Sequence, residues 1–184
     1  KITNQKQSGR CWLFSALNTL RFEMIHKYNL ETFELSQSYL FFWDKLEKSN
    51  FFLESVLKTV DEPIDGRLYS FINKEPLGDG GQWDMFANLV SKYGVVPKEC
   101  YEDSAASTNS RWFDGFVTAK LREDAKNLRE MAAKGATSQL ASIEPYNVVI
   151  KATAMLGPRE LLSSKLFNIP IKPITVPNIP KPGP

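Results

Sequence analysis

The chain has 184 residues, of which 42% are hydrophobic and 24% charged, and its formal net charge at pH 7 is +2. This composition excludes wholesale disorder and collagen-like repeats, and a chain of this length can bury a core without a metal or disulfide staple. The balance of 23 basic and 21 acidic residues creates no field that would recruit nucleic acid, and the longest apolar run, residues 39–43, is far too short to cross a bilayer.

Hydrophobic periodicity predicts a mainly α-helical chain. The first helix is expected over residues 11–28, where an apolar stripe recurs at helical spacing. This stripe consists of Leu13, Ala16, Leu17, Leu20 and Met24. The pattern then predicts helices over 36–48, 51–60, 67–73, 82–93 and 109–134. Between them it predicts a loop at 61–66 and a glycine-rich turn at 75–81. A cap is expected at Gly94, a helix stop at Gly135 and a short apolar run at 148–156.

The end of the chain has a different composition, because seven of the 27 residues from 158 to 184 are proline. Each proline removes a backbone donor and disfavours helix before it, so we expect an extended tail. The domain prediction is therefore a core over 1–157 and a Pro-rich tail over 158–184. Two Pro-x-x-Pro spacings leave open a ligand for an SH3-like domain, although such spacings are frequent by chance in proline-dense sequence.

The few cysteine and histidine residues limit the chemistry of the chain. Cys11 and Cys100 could form at most one bridge, which favours reduced thiols in an intracellular compartment, with Cys100 a thiol of the core. His26 is the single histidine, and no Cys/His cluster has zinc-finger spacing. We expect no metal and no cofactor.

The segment with the clearest chemical signal is residues 5–12, in which Cys11 stands at a predicted helix start. A thiol must be deprotonated to attack a carbonyl, and the unpaired N–H groups of a helix N-terminus favour the thiolate. Arg10 would add a nearby positive charge, Trp12 would begin the buried stripe, and the amide of Gln5 could donate to an oxyanion. Most cysteines are inert small hydrophobes, but this setting favours a nucleophile.

Residues 5–12 resemble the nucleophile motif of papain-like cysteine peptidases, which is Gln, five residues, then Cys-Trp. Residues 35–37 resemble the element that follows the central helix of that family, and residues 78–83 resemble its glycine-rich strip. Within the family the resemblance is to the bleomycin hydrolase and aminopeptidase C branch. It is carried by residues 8–18, 36–45 and 79–85, and it weakens toward residue 157.

The resemblance implies the mainly helical, nucleophile-bearing lobe of the papain-like α+β fold. It further implies a cytoplasmic thiol aminopeptidase that acts on peptides with a free N-terminus and on the amide of bleomycin. In this scheme Cys11 attacks, Gln5 and the Cys11 N–H hold the oxyanion, and Gly80 and Gly81 align the substrate. Relatives of this branch form homohexameric rings, and neither a membrane nor a nucleic acid is an expected partner.

The histidine and asparagine that complete such a site are not found at the expected places. Papain-like spacing puts the histidine near residues 141–161, where there is none. His26 lies fifteen residues along the same predicted helix from Cys11, which is roughly 22 Å away, so we expect a surface residue there. Asn147 is interpreted as a coincidence. We expect a chain truncated at both ends; the alternative is a catalytically inactive lobe that binds a peptide or a subunit.

Overall fold

The computed structural model describes residues 2–134 of the chain. The predicted stop at Gly135, the apolar run 148–156, Asn147 and the tail 158–184 lie outside the described residues. Within 2–134 the mainly α class is confirmed. The helices are α1 (Cys11–Tyr28), α2 (Gln37–Lys58), α3 (Arg67–Lys74), α4 (Trp83–Tyr93), α5 (Ala105–Thr108) and α6 (Ser110–Ala133), with a 3-10 turn at Lys98–Cys100.

Helices α1 and α4 both end at residues with a positive φ angle. Asn29 follows α1 with φ 51° and its N–H donates to Ile25 O. Gly94 follows α4 with φ 73° and its N–H donates to Val90 O at 2.8 Å. Glycine and asparagine are the residues that adopt this conformation at least cost, so the predicted cap at Gly94 is confirmed.

Helix α2 is one helix of 22 residues, and the prediction of two helices separated near residue 50 is wrong. The Ser49 hydroxyl donates to Lys45 O at 2.7 Å, and the Asn50 amide donates to the Glu54 carboxylate at 2.9 Å. Both polar side chains therefore bond within the helix instead of ending it. Ser36 caps its N-terminus, where Oγ accepts from the N–H of Tyr39 at 3.1 Å.

The short elements between α4 and α6 were not predicted. Cys100 closes the 3-10 turn and is exposed, so the expectation of a core thiol is wrong. The turn is anchored through Lys98, whose N–H donates to Glu34 O at 2.9 Å, and the Cys100 side chain lies outside the apolar core that the described residues form. Ser104 and Ser107 form a reciprocal capping box that starts α5.

The apolar core lies where α1, α4 and α6 pack around α2. Leu13 and Leu17 of the predicted α1 stripe are buried to 0% and 1% exposure, and Leu121 and Leu128 of α6 are equally inaccessible. Trp43 of α2 stacks on a tyrosine of α4. Over residues 2–134, none of the helices has both the length and the apolar content needed to traverse a bilayer.

Candidate active site

Cys11 is the first residue of α1 and its side chain is exposed. No side chain caps this helix, and the first helical hydrogen bond runs from the N–H of Phe14 to Arg10 O at 3.0 Å. The N–H groups of the first turn therefore have no partner within the helix. The sulfur is open to solvent and adjoins these dipolar N–H groups.

Arg10 is buried to 1% exposure and is part of the scaffold below the sulfur. Its guanidinium donates to Ser8 Oγ at 2.8 Å, Ser38 Oγ at 3.0 Å and Asp103 Oδ1 at 3.0 Å. Burial raises the pKa of Asp103, but hydrogen bonds from Ser38, Arg10 and Lys98 outweigh it and lower that pKa to about 2. The predicted free positive charge beside Cys11 is thus neutralised by a carboxylate.

Gln5 lies in a loop that is fixed at several points. Its backbone oxygen accepts from Ser8 Oγ at 2.6 Å, and the next residues are anchored by the N–H of Gln7 bonded to Thr108 O at 2.9 Å. Its side-chain Oε1 is buried without a partner among the described residues. The carboxamide of Gln5 is therefore not committed to any bond within residues 2–134.

The glycine-rich strip, residues 78–81, packs against the indole of Trp12. A Cβ on Gly81 would lie 2.4 Å from the Trp12 ring, whereas a Cβ on Gly80 would meet nothing within 4 Å. The indole Nε1–H donates to Asp79 O at 3.0 Å. Trp12 is half-buried and covers the strip, so it forms a wall of the site. The sequence pattern predicts instead that Trp12 begins the buried stripe of α1.

Two lysines of α2 also hold the strip. Lys48 Nζ donates to Gly78 O at 2.8 Å and to Gly80 O at 2.7 Å. Lys45, with no exposed side-chain surface, donates to Gly78 O at 3.3 Å and pairs with Asp79 at 2.6 Å. The carbonyl groups of residues 78–80 are thus all bonded to the protein. The N–H and C=O groups of Gly81 form no hydrogen bond to another described residue.

Asp79 joins the strip to the loop that carries Cys11. Its Oδ2 accepts from the N–H of Gly9 at 3.1 Å and from Ser110 Oγ at 2.7 Å. Burial raises the pKa of Asp79, but hydrogen bonding and charge from Lys45 and the bond from Ser110 hold it well below its usual range. A Cβ on Gly9 would lie 2.3 Å from the Asp79 Cβ, so this close approach requires glycine.

A cleft of about 280 Å³ opens beside the strip, between α1 and α4. Three of its eight lining residues are aromatic, namely Trp12, Trp83 and Phe86, and Gly81 also lines it. Trp83 is 64% exposed at its rim. An extended peptide lying on Gly81 could place an apolar side chain there.

His26 stands apart from these groups. It is exposed in the last turn of α1, edge-on to Phe22 at 4.4 Å between ring centroids, so the predicted surface position is confirmed. Because it is the chain's single histidine, no imidazole of this sequence lies next to Cys11. In the part of the chain that the structure describes, no group of His, Cys, Asp or Glu is arranged to hold a metal ion.

The structure also brings to the site three residues that the sequence reasoning missed, Lys45, Lys48 and Asp79. The signal that could have found the lysines is their spacing, because two cations three residues apart on a helix that packs in the core require buried acceptors. Apart from Asp44, which precedes Lys48 by four residues, the acceptors are thirty or more positions away in sequence, so no local pattern identifies the contact with the strip.

Comparison with known proteins places this arrangement in a family. The profile of the "Peptidase C1-like family" matches residues 1–151. "Aminopeptidase C" of Streptococcus thermophilus is 52% identical over 136 residues, which are 74% of this chain and 31% of that protein. "Bleomycin hydrolase" of Homo sapiens is 50% identical over 138 residues, which are 74% of this chain and 30% of that protein.

A solved structure supports the same conclusion. The crystal structure of PepW from Lactobacillus rhamnosis matches with a TM-score of 0.79 at 42% identity, covering 85% of this chain and 36% of that one. The chain spans about a third of the length of these relatives. Its helices correspond to the helical lobe of a papain-like peptidase, and the chain belongs to the Peptidase C1-like family.

Proposed function

We propose that this chain is the nucleophile-bearing part of a thiol aminopeptidase that hydrolyses peptide or amide bonds. The observation that carries the proposal is the exposed sulfur of Cys11 at the head of α1, beside a glycine strip in which Gly81 keeps its main-chain groups unbonded. The names of the relatives, an aminopeptidase and a bleomycin hydrolase, support peptides with a free N-terminus and the amide of bleomycin as substrates.

In the proposed reaction the Cys11 thiolate attacks the substrate carbonyl carbon. The displaced electron pair moves to the carbonyl oxygen, which accepts hydrogen bonds from the Cys11 N–H and from the Gln5 carboxamide. Collapse of this adduct expels the amine and leaves a thioester, which water then hydrolyses. The position of Gln5 in the anchored loop that leads into α1 supports its role as donor, and Gly80 and Gly81 hold the peptide extended against bare main chain.

The proton steps require a base that this sequence does not supply near Cys11. General-base assistance contributes about 10²- to 10⁴-fold to such reactions. We therefore expect this chain alone to turn over very slowly, and we propose that an imidazole from another polypeptide segment completes the site. The second candidate function, a catalytically inactive lobe that binds a peptide or a subunit, is favoured by the remote position of His26.

Two further properties of the protein are proposals. The free thiols of Cys11 and Cys100 support a reducing compartment, and we place the protein in the cytoplasm. The family resemblance supports a homohexamer of the complete protein, and neither a membrane nor a nucleic acid is a proposed partner.

The first test compares the two exposed thiols of the same molecule. The full chain is treated with substoichiometric iodoacetamide at neutral pH, and labelling is measured by peptide mass spectrometry. We expect Cys11 to be alkylated at least tenfold faster than Cys100, because Cys11 stands at the N-terminus of an 18-residue helix whose first N–H groups have no side-chain cap. Equal labelling of the two cysteines would contradict the nucleophile assignment.

The second test measures turnover of a fluorogenic aminoacyl amide. The chain is assayed alone and together with the remaining segment of the Streptococcus thermophilus relative. Added histidine-bearing segment should raise the rate at least about 100-fold. Cys11→Ser should abolish that gain and Cys100→Ser should leave it intact. If the chain with the added segment stays inactive while Cys11 still labels preferentially, the inactive binding lobe is the better description.

A further inference from the structure

We infer that Lys48 is a positioning residue for substrate: its ammonium group holds the Gly80 carbonyl inward, and this turns the Gly81 N–H toward the bound peptide. The inference rests on the proposed function of the strip and adds a residue that neither the motif nor the family resemblance identifies. It follows from the bonds of one side chain and the planarity of one peptide group.

All three donors of the Lys48 ammonium are used. Besides Gly78 O and Gly80 O, Nζ donates to the Asp44 carboxylate at 2.8 Å, and the Asp44 side chain is only 3% exposed. The same ammonium lies 5.6 Å from the Trp12 ring centroid. Burial lowers the pKa of Lys48, and the Asp44 charge opposes that effect and favours the charged form. A saturated cation of this kind fixes its acceptors in one geometry.

The consequence for Gly81 comes from the geometry of the peptide bond. In a trans peptide the C=O of one residue and the N–H of the next point in opposite directions. Because Lys48 holds the Gly80 C=O on the side of α2, the Gly81 N–H points away from α2. Gly81 is half-exposed there, its N–H has no partner among the described residues, and it borders the cleft between α1 and α4.

Lys48 differs in this respect from its neighbour Lys45. The Lys45 ammonium pairs with the Asp79 and Asp114 carboxylates and bonds to only one backbone carbonyl of the strip, Gly78 O, so it holds α2, the strip and α6 together. Lys48 alone of the two bonds to Gly80, the residue whose peptide orientation sets the direction of the Gly81 N–H. Loss of Lys48 should therefore affect peptide binding, and it should leave the intrinsic reactivity of Cys11 unchanged.

The test uses two reagents with the same reactive group on the full chain. Both methyl vinyl sulfone and a dipeptidyl vinyl sulfone with a free N-terminus take up the Cys11 thiolate at the β-carbon, and the α-carbon receives a proton from water. Second-order rates are measured by mass spectrometry, with half-saturation concentrations for the peptidyl reagent. We expect the wild-type chain to react faster with the peptidyl reagent, and Lys48→Met to lose roughly fivefold to tenfold of this preference, which corresponds to one hydrogen bond.

Four comparisons make this result specific. Methyl vinyl sulfone should react with Lys48→Met within twofold of the wild-type rate, and Lys92→Met, which removes another lysine paired to α2, should behave like wild type. The loss of preference in Lys48→Met should appear as a higher half-saturation concentration for the peptidyl reagent. Lys48→Arg should recover part of the lost preference. A third reagent is the peptidyl vinyl sulfone in which methylene replaces the amide carbonyl that would accept from the Gly81 N–H. With this reagent the difference between wild type and Lys48→Met should vanish.

The outcomes separate this inference from the proposed function. If wild type shows no preference for the peptidyl reagent, the substrate role of the strip fails and the inference fails with it. If wild type shows the preference and Lys48→Met keeps it, only the inference is overturned. Should Lys48→Met prove unfolded by circular dichroism, Lys48→Gln and Lys48→Arg decide the question. The inference requires that each of these variants prefers the peptidyl reagent only to the extent that its side chain still donates a hydrogen bond to Gly80 O.

Discussion

The two glycines of the strip are neighbours in sequence with different physical requirements. Gly81 is in contact with the Trp12 indole, and any Cβ there would overlap the ring. Gly80 faces open space, so a methyl group is tolerated there. Packing therefore requires glycine at position 81 and not at position 80.

This difference predicts unequal effects of alanine at the two positions. Gly81→Ala should lower the free energy of unfolding by about 1–3 kcal/mol, because the Trp12 ring must move to accommodate the methyl group. Gly80→Ala is the matched control and should change it by less than about 0.5 kcal/mol. Urea titrations followed by tryptophan fluorescence measure both values. Equal losses in the two variants would show that the Trp12 contact is not what requires glycine.

The sequence pattern identified the strip and Cys11, but not the reason for Gly81. The resemblance indicates that Gly80 and Gly81 lie near a substrate. The contact between Gly81 and Trp12 joins residues about seventy positions apart and depends on how α1 and α4 pack, which no local pattern contains. The same holds for Arg10, whose charge is apparent from the sequence while its partner Asp103 is not.

At the scale of elements, α2 has the greatest influence on the site. One face of this helix contributes Trp43 and Leu40 to the core, and another turns Asp44, Lys45 and Lys48 toward the strip. The prediction of two helices from the polar pair at 49–50 missed this continuity, because side-chain bonds that satisfy a polar residue inside a helix are invisible to hydrophobic periodicity. The bounds of α1 were predictable because its apolar stripe recurs at helical spacing along most of its length.

The charged face of α2 predicts a pH dependence of stability. Burial raises the pKa of Asp44 to about 6, although the charges of Lys48 and Lys45 oppose this. A carboxyl group whose folded pKa exceeds its unfolded value stabilises the fold below about pH 4 and loses that contribution as pH rises through 6. The unfolding free energy of wild type minus that of Asp44→Asn should therefore fall by about 1–3 kcal/mol between pH 4 and pH 7.

Chemical denaturation at each pH gives this difference. Two comparisons assign its pH dependence to Asp44. Asp79 and Asp103 have lowered pKa values and titrate below this window. Asp61→Asn, which removes an exposed carboxyl outside the α2 network, should leave the wild-type pH profile unchanged. A difference for Asp44→Asn that stays constant from pH 4 to pH 7 would contradict the assignment.

At the scale of the whole molecule, four helices supply most of the apolar core that residues 2–134 form. The described core residues run from Leu13 to Leu128, contributed mainly by α1, α2, α4 and α6. The division into a core over 1–157 and a tail over 158–184 remains a prediction. Its physical basis is compositional, because proline-dense sequence cannot contribute helices to such a core.

Removal of the tail tests this division. A chain ending at residue 157 should keep the midpoint of thermal unfolding within about 2 °C of the full chain, since a change of 1 kcal/mol would shift it by about 2–4 °C. Differential scanning calorimetry on both chains measures the midpoints. As a control, Leu121→Ala should lower the midpoint by several degrees, because it leaves a cavity in the core. A drop of similar size on removing the tail would place residues 158–184 within the folded unit.

The buried guanidinium of Arg10 determines how the loop that presents Cys11 responds to pH. An arginine side chain stays protonated in proteins, and the pKa of its partner Asp103 is near 2, so both members of this tether keep their charges from mildly acidic to strongly alkaline solution. The platform under the sulfur is therefore insensitive to pH across the range in which a thiol ionises. A change of pH within this range should accordingly leave the anchoring of the loop that presents the sulfur unchanged.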